Sequence, residues 1–155
     1  LGLRLLAAGR PRRITPALRA QLTPEPRLAI GAIAGRYARA AIDVSDGLLQ
    51  DLGHLCDRSG VGARVDAAAI PLSRELLRRA GGDALRLALT GGEDYELLFA
   101  VPRAKAASFR RAADRAGVPF TRIGAIEAGG GIRVVGPDGR ELPLPARRGW
   151  DHWAG

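Results

Sequence analysis

Two aspartates and a serine stand close together where an apolar run ends and a helical pattern begins. They are Asp43, Ser45 and Asp46. Aspartate oxygens are natural ligands of Mg²⁺. The first amides of a helix point outward without backbone partners, so an anion can settle beside them. We therefore expect this junction to hold a magnesium ion and the phosphate that accompanies it.

A simpler interpretation is that Ser45 or Asp46 only caps the following helix, which would stabilise that helix by about 1 kcal/mol. Capping accounts for one of the two acids. It leaves Asp43 unexplained, because this residue follows Ile42 in a segment suited to burial, where an unpaired charge is costly. Spacing alone leaves both interpretations open.

A second acidic cluster lies between two apolar segments and reads Thr90-Gly91-Gly92-Glu93-Asp94-Tyr95-Glu96. Two adjacent glycines permit positive φ angles and a close approach of backbones. The negative charge of the three acids makes this loop a poor binding site for phosphate. The carboxylates would suit a cation, a hydrogen-bond donor on a substrate or an arginine side chain. The alternative is a helix end followed by a solvated loop.

Both tryptophans, Trp150 and Trp153, fall in the last six residues, beside Asp151 and His152. Chain ends are usually polar and frayed, so we expect this aromatic end to be docked. Packing on the core and stacking on a flat ligand both remain open. The histidines lack the spacing of a zinc site, and no P-loop or dinucleotide motif occurs.

Periodicity and turn residues predict an α/β (α+β) domain with a layered mixed β-sheet and helices packed on it. A linker containing two prolines, at residues 23–27, separates a helical segment from this domain. We therefore expect two parts: residues 1–27, which comprise the helical segment and the linker, and residues 28–155, which form the domain. Predicted helices cover 1–8, 16–22, 28–33, 46–59, 73–80, 84–89 and 104–116. Predicted strands cover 38–44, 61–65, 95–101, 120–126, 132–135 and 140–144, with the last two forming a hairpin.

The composition limits the classes of partner. The 155 residues carry a formal charge of +8, but Lys105 is the only lysine and the arginines are scattered. We therefore expect no nucleic acid partner, although a non-catalytic basic module that binds RNA is an alternative. No apolar run is long enough to cross a bilayer. The single cysteine, Cys56, fits a reducing compartment, so we expect a cytoplasmic protein without a membrane partner.

The clusters, in this order, resemble the thiamine-monophosphate kinase family within the aminoimidazole-ribonucleotide synthetase superfamily. The long segment Leu89–Phe99, with its Gly-Gly-Glu-Asp-Tyr-Glu-Leu core, is the most specific match. The other matching strings are Pro24–Arg27, Ala41–Leu48, Asp51-Leu52, Ser59–Ala63, Ile123-Gly124 and Gly149–His152. The resemblance runs through nearly the whole chain but covers only the C-terminal half of the family's protein.

The resemblance implies an enzyme that transfers the γ-phosphoryl group of ATP to thiamine monophosphate, giving thiamine diphosphate with the help of Mg²⁺. It implies that Asp43 and Asp46 are Mg²⁺ ligands and that Ser45 contacts ATP. It implies that Glu93 and Trp150 contact the thiamine substrate. A carboxylate and a flat ring suit a cationic, aminopyrimidine-bearing ligand.

The resemblance also implies an N-terminal domain that completes the ATP site and builds much of a homodimer interface. Since that domain is absent here, we expect a fragment of a longer protein that is inactive alone. Other superfamily members, selenophosphate synthetase and the hydrogenase maturation protein, are rival assignments, but they lack the Leu89–Phe99 pattern and the Gly-Trp-Asp-His end.

Overall fold

The computed structural model describes residues 1–9, 13–146 and 148–150. The described elements begin with three helices, continue with helices interspersed among strands and finish with three strands. The helices are α1 Gly2–Ala7, α2 Pro16–Leu22, α3 Leu28–Tyr37, α4 Leu48–Ser59, α5 Arg74–Ala80, α6 Ala84–Thr90 and α7 Arg103–Arg115. The strands are β1 Ala40–Val44, β2 Gly62–Asp66, β3 Glu96–Ala100, β4 Gly124–Glu127, β5 Ile132–Val135 and β6 Glu141–Leu142.

The strands form two sheets. One has four strands in the order β4-β2-β5-β6, with β2 and β5 parallel and the outer pairs antiparallel. The other consists of β1 and β3, paired antiparallel with Asp43 opposite Leu97. The predicted mixed sheet and α+β class are thus confirmed, and the antiparallel pairing of β5 with β6 confirms the predicted hairpin.

Two apolar clusters hold these layers together. The larger one joins α4 and α6 to the four-stranded sheet and includes Leu49, Val65 and Val134, each 1% exposed. The smaller one joins α3, α7 and β3 around Phe109. The ring of Phe109 lies 5.1 Å from Phe99 and 4.9 Å from Phe120 between centroids, so aromatic packing fixes α7 on β3.

The two-stranded sheet lies between these clusters and is less buried than its apolar sequence suggests. Val44 and Leu98 contact the larger cluster, whereas Leu97 and Phe99 contact the smaller one. Along β1 every second residue is less covered, and Asp43 is exposed. The expectation that Asp43 occupies a buried segment is therefore wrong. The smaller cluster covers this face of the sheet at Leu97 and Phe99 of β3 but includes no residue of β1, so Asp43 stays exposed beside it.

Several boundaries also differ from the prediction. The strand predicted over 120–126 covers only Gly124–Glu127, and the strand predicted over 140–144 covers only Glu141–Leu142. Strand β3 begins at Glu96, one residue later than predicted. Pairing with a neighbouring strand, which a single sequence does not display, sets these limits.

Glu75 connects the N-terminal segment to the domain. Its side chain is buried, accepts a hydrogen bond from the Ala17 amide at 3.1 Å and pairs with Arg79 at 2.9 Å. Burial acts to raise the pKa of Glu75, but hydrogen bonds from Thr15, Ala17 and Arg79 outweigh it and hold the pKa below its usual range. The Glu75 carboxylate, which lies on α5, therefore accepts a backbone N–H group of the first turn of α2 that has no acceptor within its own helix. The predicted domain boundary after residue 27 stays a prediction.

In the described parts of the chain, no helix combines the length and apolar character needed to cross a bilayer.

Replacing Glu75 with glutamine is expected to destabilise the chain by about 1–3 kcal/mol, because a buried charged acceptor is lost. A carboxyl group with a lowered folded-state pKa stabilises above its unfolded pKa, and this contribution disappears as pH falls through the folded-state value. The difference in melting temperature should therefore shrink on acidification. Thermal unfolding from neutral to acid pH measures it, with exposed Glu141→Gln as control. Equal losses in both variants would contradict the role of Glu75.

Candidate functional site

The turn between β1 and α4 is organised by a carboxylate that lies further along the helix. One oxygen of Asp51, Oδ2, accepts hydrogen bonds from the amides of Ser45, Asp46 and Gly47, each at 3.1 Å. Asp51 is only 3% exposed. The helix N-cap is Gly47, at φ 138°, and no side chain at the cap bonds to the helix.

This arrangement corrects two expectations. Neither Ser45 nor Asp46 caps α4, because Gly47 occupies that position. The amides of residues 45–47 are also not open to phosphate, since the Asp51 carboxylate accepts from all three. Binding of an anion at the first-turn amides of α4 that follow Gly47 stays a prediction. A negative group does occupy the start of the helix, as the macrodipole favours, but the chain supplies it.

The carbonyl groups of the same turn bind the two other clusters. Val44 O accepts from the Tyr95 amide at 2.8 Å, and Ser45 O accepts from the Glu93 amide at 2.7 Å. Asp46 O accepts from the Trp150 amide at 2.8 Å. The structure thus gathers all three sequence clusters at one corner of the fold.

The acids of this corner differ in their surroundings. Asp43 is exposed and shares a face of the two-stranded sheet with Leu97. Among the described residues, no hydrogen bond or ion pair engages the Asp43 carboxylate. Asp46 and Ser45 lie in the turn itself, each half-buried. Asp43 is therefore available to a ligand that approaches from outside the chain.

The loop from Gly91 to Tyr95 has an unusual backbone. Positive φ angles occur at Glu93, 63°, and Tyr95, 50°, rather than at the glycines. A Cβ on Gly92 would lie 2.5 Å from Ser45 O, and one on Gly91 would lie 2.6 Å from Leu87 O. The glycines thus serve close packing, whereas the backbone strain falls on Tyr95 and on Glu93, an expected substrate contact, as is common at functional sites.

Neighbours hold the acids of this loop in different ways. Glu93 Oε2 accepts from Gln21 Nε2 at 2.6 Å, which connects it to α2. The Glu96 carboxylate accepts hydrogen bonds from Arg27 Nε at 3.0 Å and from Arg27 Nη2 at 2.6 Å. Desolvation, reinforced by the Glu96 carboxylate, raises the pKa of Asp94 to about 6. Glu96 is therefore a structural partner of Arg27, as one of the alternatives from sequence allowed.

The described end of the chain is docked through its backbone. Besides the Asp46 contact, Trp150 O accepts from Gln50 Nε2 at 2.7 Å. A Cβ on Gly149 would lie 2.7 Å from Asp46 O, so this residue must be glycine or the contact must open. The Trp150 residue itself is 54% exposed and is not absorbed into the core. Asp151, His152 and Trp153 lie outside the described residues.

The donor set fits a hard cation but is incomplete. Asp43 and Asp46 offer carboxylate oxygens, the ligand type that Mg²⁺ prefers. Within the described ranges, no group of three or more His, Cys, Asp or Glu side chains is placed to hold a metal ion. The described residues could therefore supply only part of a metal site, with further ligands from phosphate, water, residues outside the described ranges or another polypeptide.

Sequence reasoning assigned no role to Asp51. The available signal was its position on the apolar face of α4, between Leu48 and Leu55, where a carboxylate requires partners to be buried.

The sequence pattern of the family described as AIR synthase related protein, C-terminal domain, matches residues 8–137. The chain belongs to this family. Thiamine-monophosphate kinase of Salmonella typhimurium is 46% identical over 135 residues, which are 86% of this chain and 41% of that protein. The chain thus spans about two-fifths of the length of this curated relative.

Solved structures agree with this family membership. The crystal structure of thiamine-monophosphate kinase from Stenotrophomonas maltophilia K279a has a TM-score of 0.76 at 40% identity, covering 91% of this chain and 46% of that one. AaThiL complexed with AMPPCP and TMP has a TM-score of 0.78 at 33% identity, covering 98% of this chain and 47% of that one.

Replacing Gly92 with alanine is expected to push the acidic loop off the turn, because its Cβ would meet Ser45 O at 2.5 Å. The cost should be about 1–3 kcal/mol, as for other overpacked sites. Thermal unfolding measures it, and hydrogen exchange at the Glu93 amide should accelerate. Gly82→Ala is the matched control, because nothing lies within 4 Å of a Cβ there. Equal stability of the two variants would contradict the close packing.

Proposed function

We propose that the protein containing this chain is a thiamine-monophosphate kinase. It transfers the γ-phosphoryl group of ATP to the phosphate of thiamine monophosphate and releases ADP and thiamine diphosphate. The observation that carries this proposal is that the turn holding Ser45 and Asp46, directly after Asp43 at the end of β1, binds the backbones of Glu93 and Trp150. The similarity to thiamine-monophosphate kinases, including AaThiL complexed with AMPPCP and TMP, supports it.

In this proposal Asp43 and Asp46 hold Mg²⁺, and Ser45 contacts ATP. The exposure of Asp43, and the absence of a partner for it among the described residues, supports its role as a ligand. Bound Mg²⁺ would neutralise charge on the nucleotide phosphates. The amides of residues 45–47 are occupied by Asp51, so the phosphates would be held by the metal, by side chains and by the amides that follow Gly47 at the start of α4.

Glu93 and Trp150 are the proposed contacts to the thiamine part of the substrate. Thiamine carries a fixed positive charge, which a carboxylate attracts and the face of an indole ring also favours. Glu93 already accepts a hydrogen bond from Gln21, so its oxygen is directed by α2. The exposed surface of Trp150 leaves room for a ring to stack.

The chemistry needs no covalent intermediate on the protein. An oxygen of the thiamine phosphate attacks the γ-phosphorus of ATP while the bond from that phosphorus to the β-bridging oxygen breaks. Both reactants are anions, so catalysis consists mainly of positioning and of electrostatic stabilisation of the transferred group. Rigid placement of Asp43, Asp46 and Glu93 by the β1–α4 turn serves that purpose.

We further propose that an N-terminal domain of the same protein completes the ATP and metal sites, that the complete protein is a homodimer and that it is cytoplasmic. Asp43 and Asp46 would leave most of the coordination sphere of Mg²⁺ to nucleotide phosphates, water and residues outside the described ranges, which supports the need for additional ligands. The chain alone should therefore have no kinase activity.

A coupled assay tests the activity directly. The complete protein should form thiamine diphosphate from ATP and thiamine monophosphate in the presence of Mg²⁺, and the isolated chain should form none. The expected difference follows from the missing metal ligands. Turnover by the chain alone would contradict the incomplete site, and absence of turnover by the complete protein would remove the proposed function.

Replacing Asp43 with asparagine in the complete protein should lower kcat/KM by about 100-fold or more, because a charged metal ligand is lost. The free energy of unfolding should change by less than about 0.5 kcal/mol, since the side chain is exposed. Enzyme assays and thermal unfolding measure the two effects. Asp114→Asn, on exposed α7 surface, is the matched control. Retained turnover in the Asp43 variant would exclude this residue from the metal site.

A further inference from the structure

The three amide groups that bind Asp51 belong to three successive peptide units. Each unit also carries the carbonyl of the preceding residue, so the relevant carbonyls are those of Val44, Ser45 and Asp46. A trans peptide is planar, with its N–H and C=O pointing in opposite directions. A hydrogen bond at one end of the unit therefore sets the direction of the group at the other end.

All three units are fixed at both ends. Their N–H groups donate to Asp51 Oδ2 on the buried side of the turn. Their carbonyls accept from the amides of Tyr95, Glu93 and Trp150 on the other side. A single buried oxygen thus orients the bonds that hold both the acidic loop and the end of the chain.

We propose that Asp51 is a positioning residue for both halves of the site: through these three peptide units it places Asp46 for the metal and Glu93 with Trp150 for the thiamine substrate. This inference rests on the proposed function, because it assigns those three residues their ligands. Asp51 itself touches neither ligand, since its carboxylate lies on the inner side of the turn and is buried.

The same geometry explains why a carboxylate is needed at this position. An asparagine side chain has one oxygen, and its NH₂ group is a donor that would face a turn already rich in N–H groups. The three hydrogen bonds would also be weaker, because a neutral amide oxygen is a poorer acceptor than a charged carboxylate oxygen. Asp51→Asn should therefore release the peptide units while nearly preserving side-chain volume.

The test uses the complete protein with Asp51→Asn and, as control, Asp57→Asn on the exposed end of the same helix. Mn²⁺ affinity is measured by electron paramagnetic resonance with a non-hydrolysable ATP analogue, and KM for thiamine monophosphate is measured in a coupled assay. Both the Mn²⁺ dissociation constant and KM should rise about tenfold or more in the Asp51 variant, as for residues that orient metal ligands. The control should stay within about twofold of the wild type.

The outcomes separate this inference from the proposed function. If the folded Asp51 variant keeps Mn²⁺ affinity and KM within twofold of the wild type, while its melting temperature falls, Asp51 is only structural and the inference is overturned. If the wild type does not phosphorylate thiamine monophosphate, the proposed function fails, and the Mn²⁺ comparison still decides whether Asp51 places Asp46.

A second measurement covers the case in which Asp51→Asn does not fold. In the wild-type complete protein, hydrogen exchange at the amides of residues 45–47 should be slow even without ligands, because Asp51 holds all three. Exchange as fast as at the amide of Asp138, in the exposed turn between β5 and β6, would overturn the inference.

Discussion

A single buried oxygen sets the geometry of this corner of the fold. Asp51 Oδ2 receives three successive amides, and the carbonyls of the same peptide units receive amides from two distant segments. A buried carboxylate is tolerated only when its hydrogen bonds are made, and a peptide unit cannot turn one end without turning the other. The turn, the acidic loop and the end of the chain are therefore coupled.

Close backbone packing follows from this coupling. Glycines at positions 92 and 149 allow backbones to pass where a Cβ would meet a carbonyl oxygen at 2.5 to 2.7 Å. The loop from Gly92 to strand β3 carries positive φ angles at Glu93 and Tyr95, a backbone conformation that residues other than glycine rarely adopt. Such strain persists where the surroundings determine the backbone, and here the hydrogen bonds from residues 93 and 95 do so.

Much of the domain could be predicted from local patterns. The apolar face of α4, its end at Gly60, and the turn chemistry between β5 and β6 all correspond to elements of the structure. The Thr15 cap and Pro16 mark the start of α2, as expected. The burial of β1 could not be predicted, because its composition is apolar while its pairing with a single antiparallel partner leaves Asp43 exposed. The predicted side-chain cap of α4 at Ser45 or Asp46 is also wrong, because Gly47 is the N-cap and the acceptor of the turn's amides, Asp51, lies within the helix itself.

The sequence by itself determined the family of the chain, the order of its elements and the residue types of the candidate site, because these follow from local periodicity and from short specific strings such as Gly91-Gly92-Glu93-Asp94. Only the tertiary structure decided that the three clusters meet, that Glu96 forms an ion pair with Arg27, and that Asp51 accepts the amides of residues 45–47. Those facts depend on contacts between residues far apart in the chain. Their geometry arises from packing and hydrogen-bond satisfaction, which no local spacing encodes.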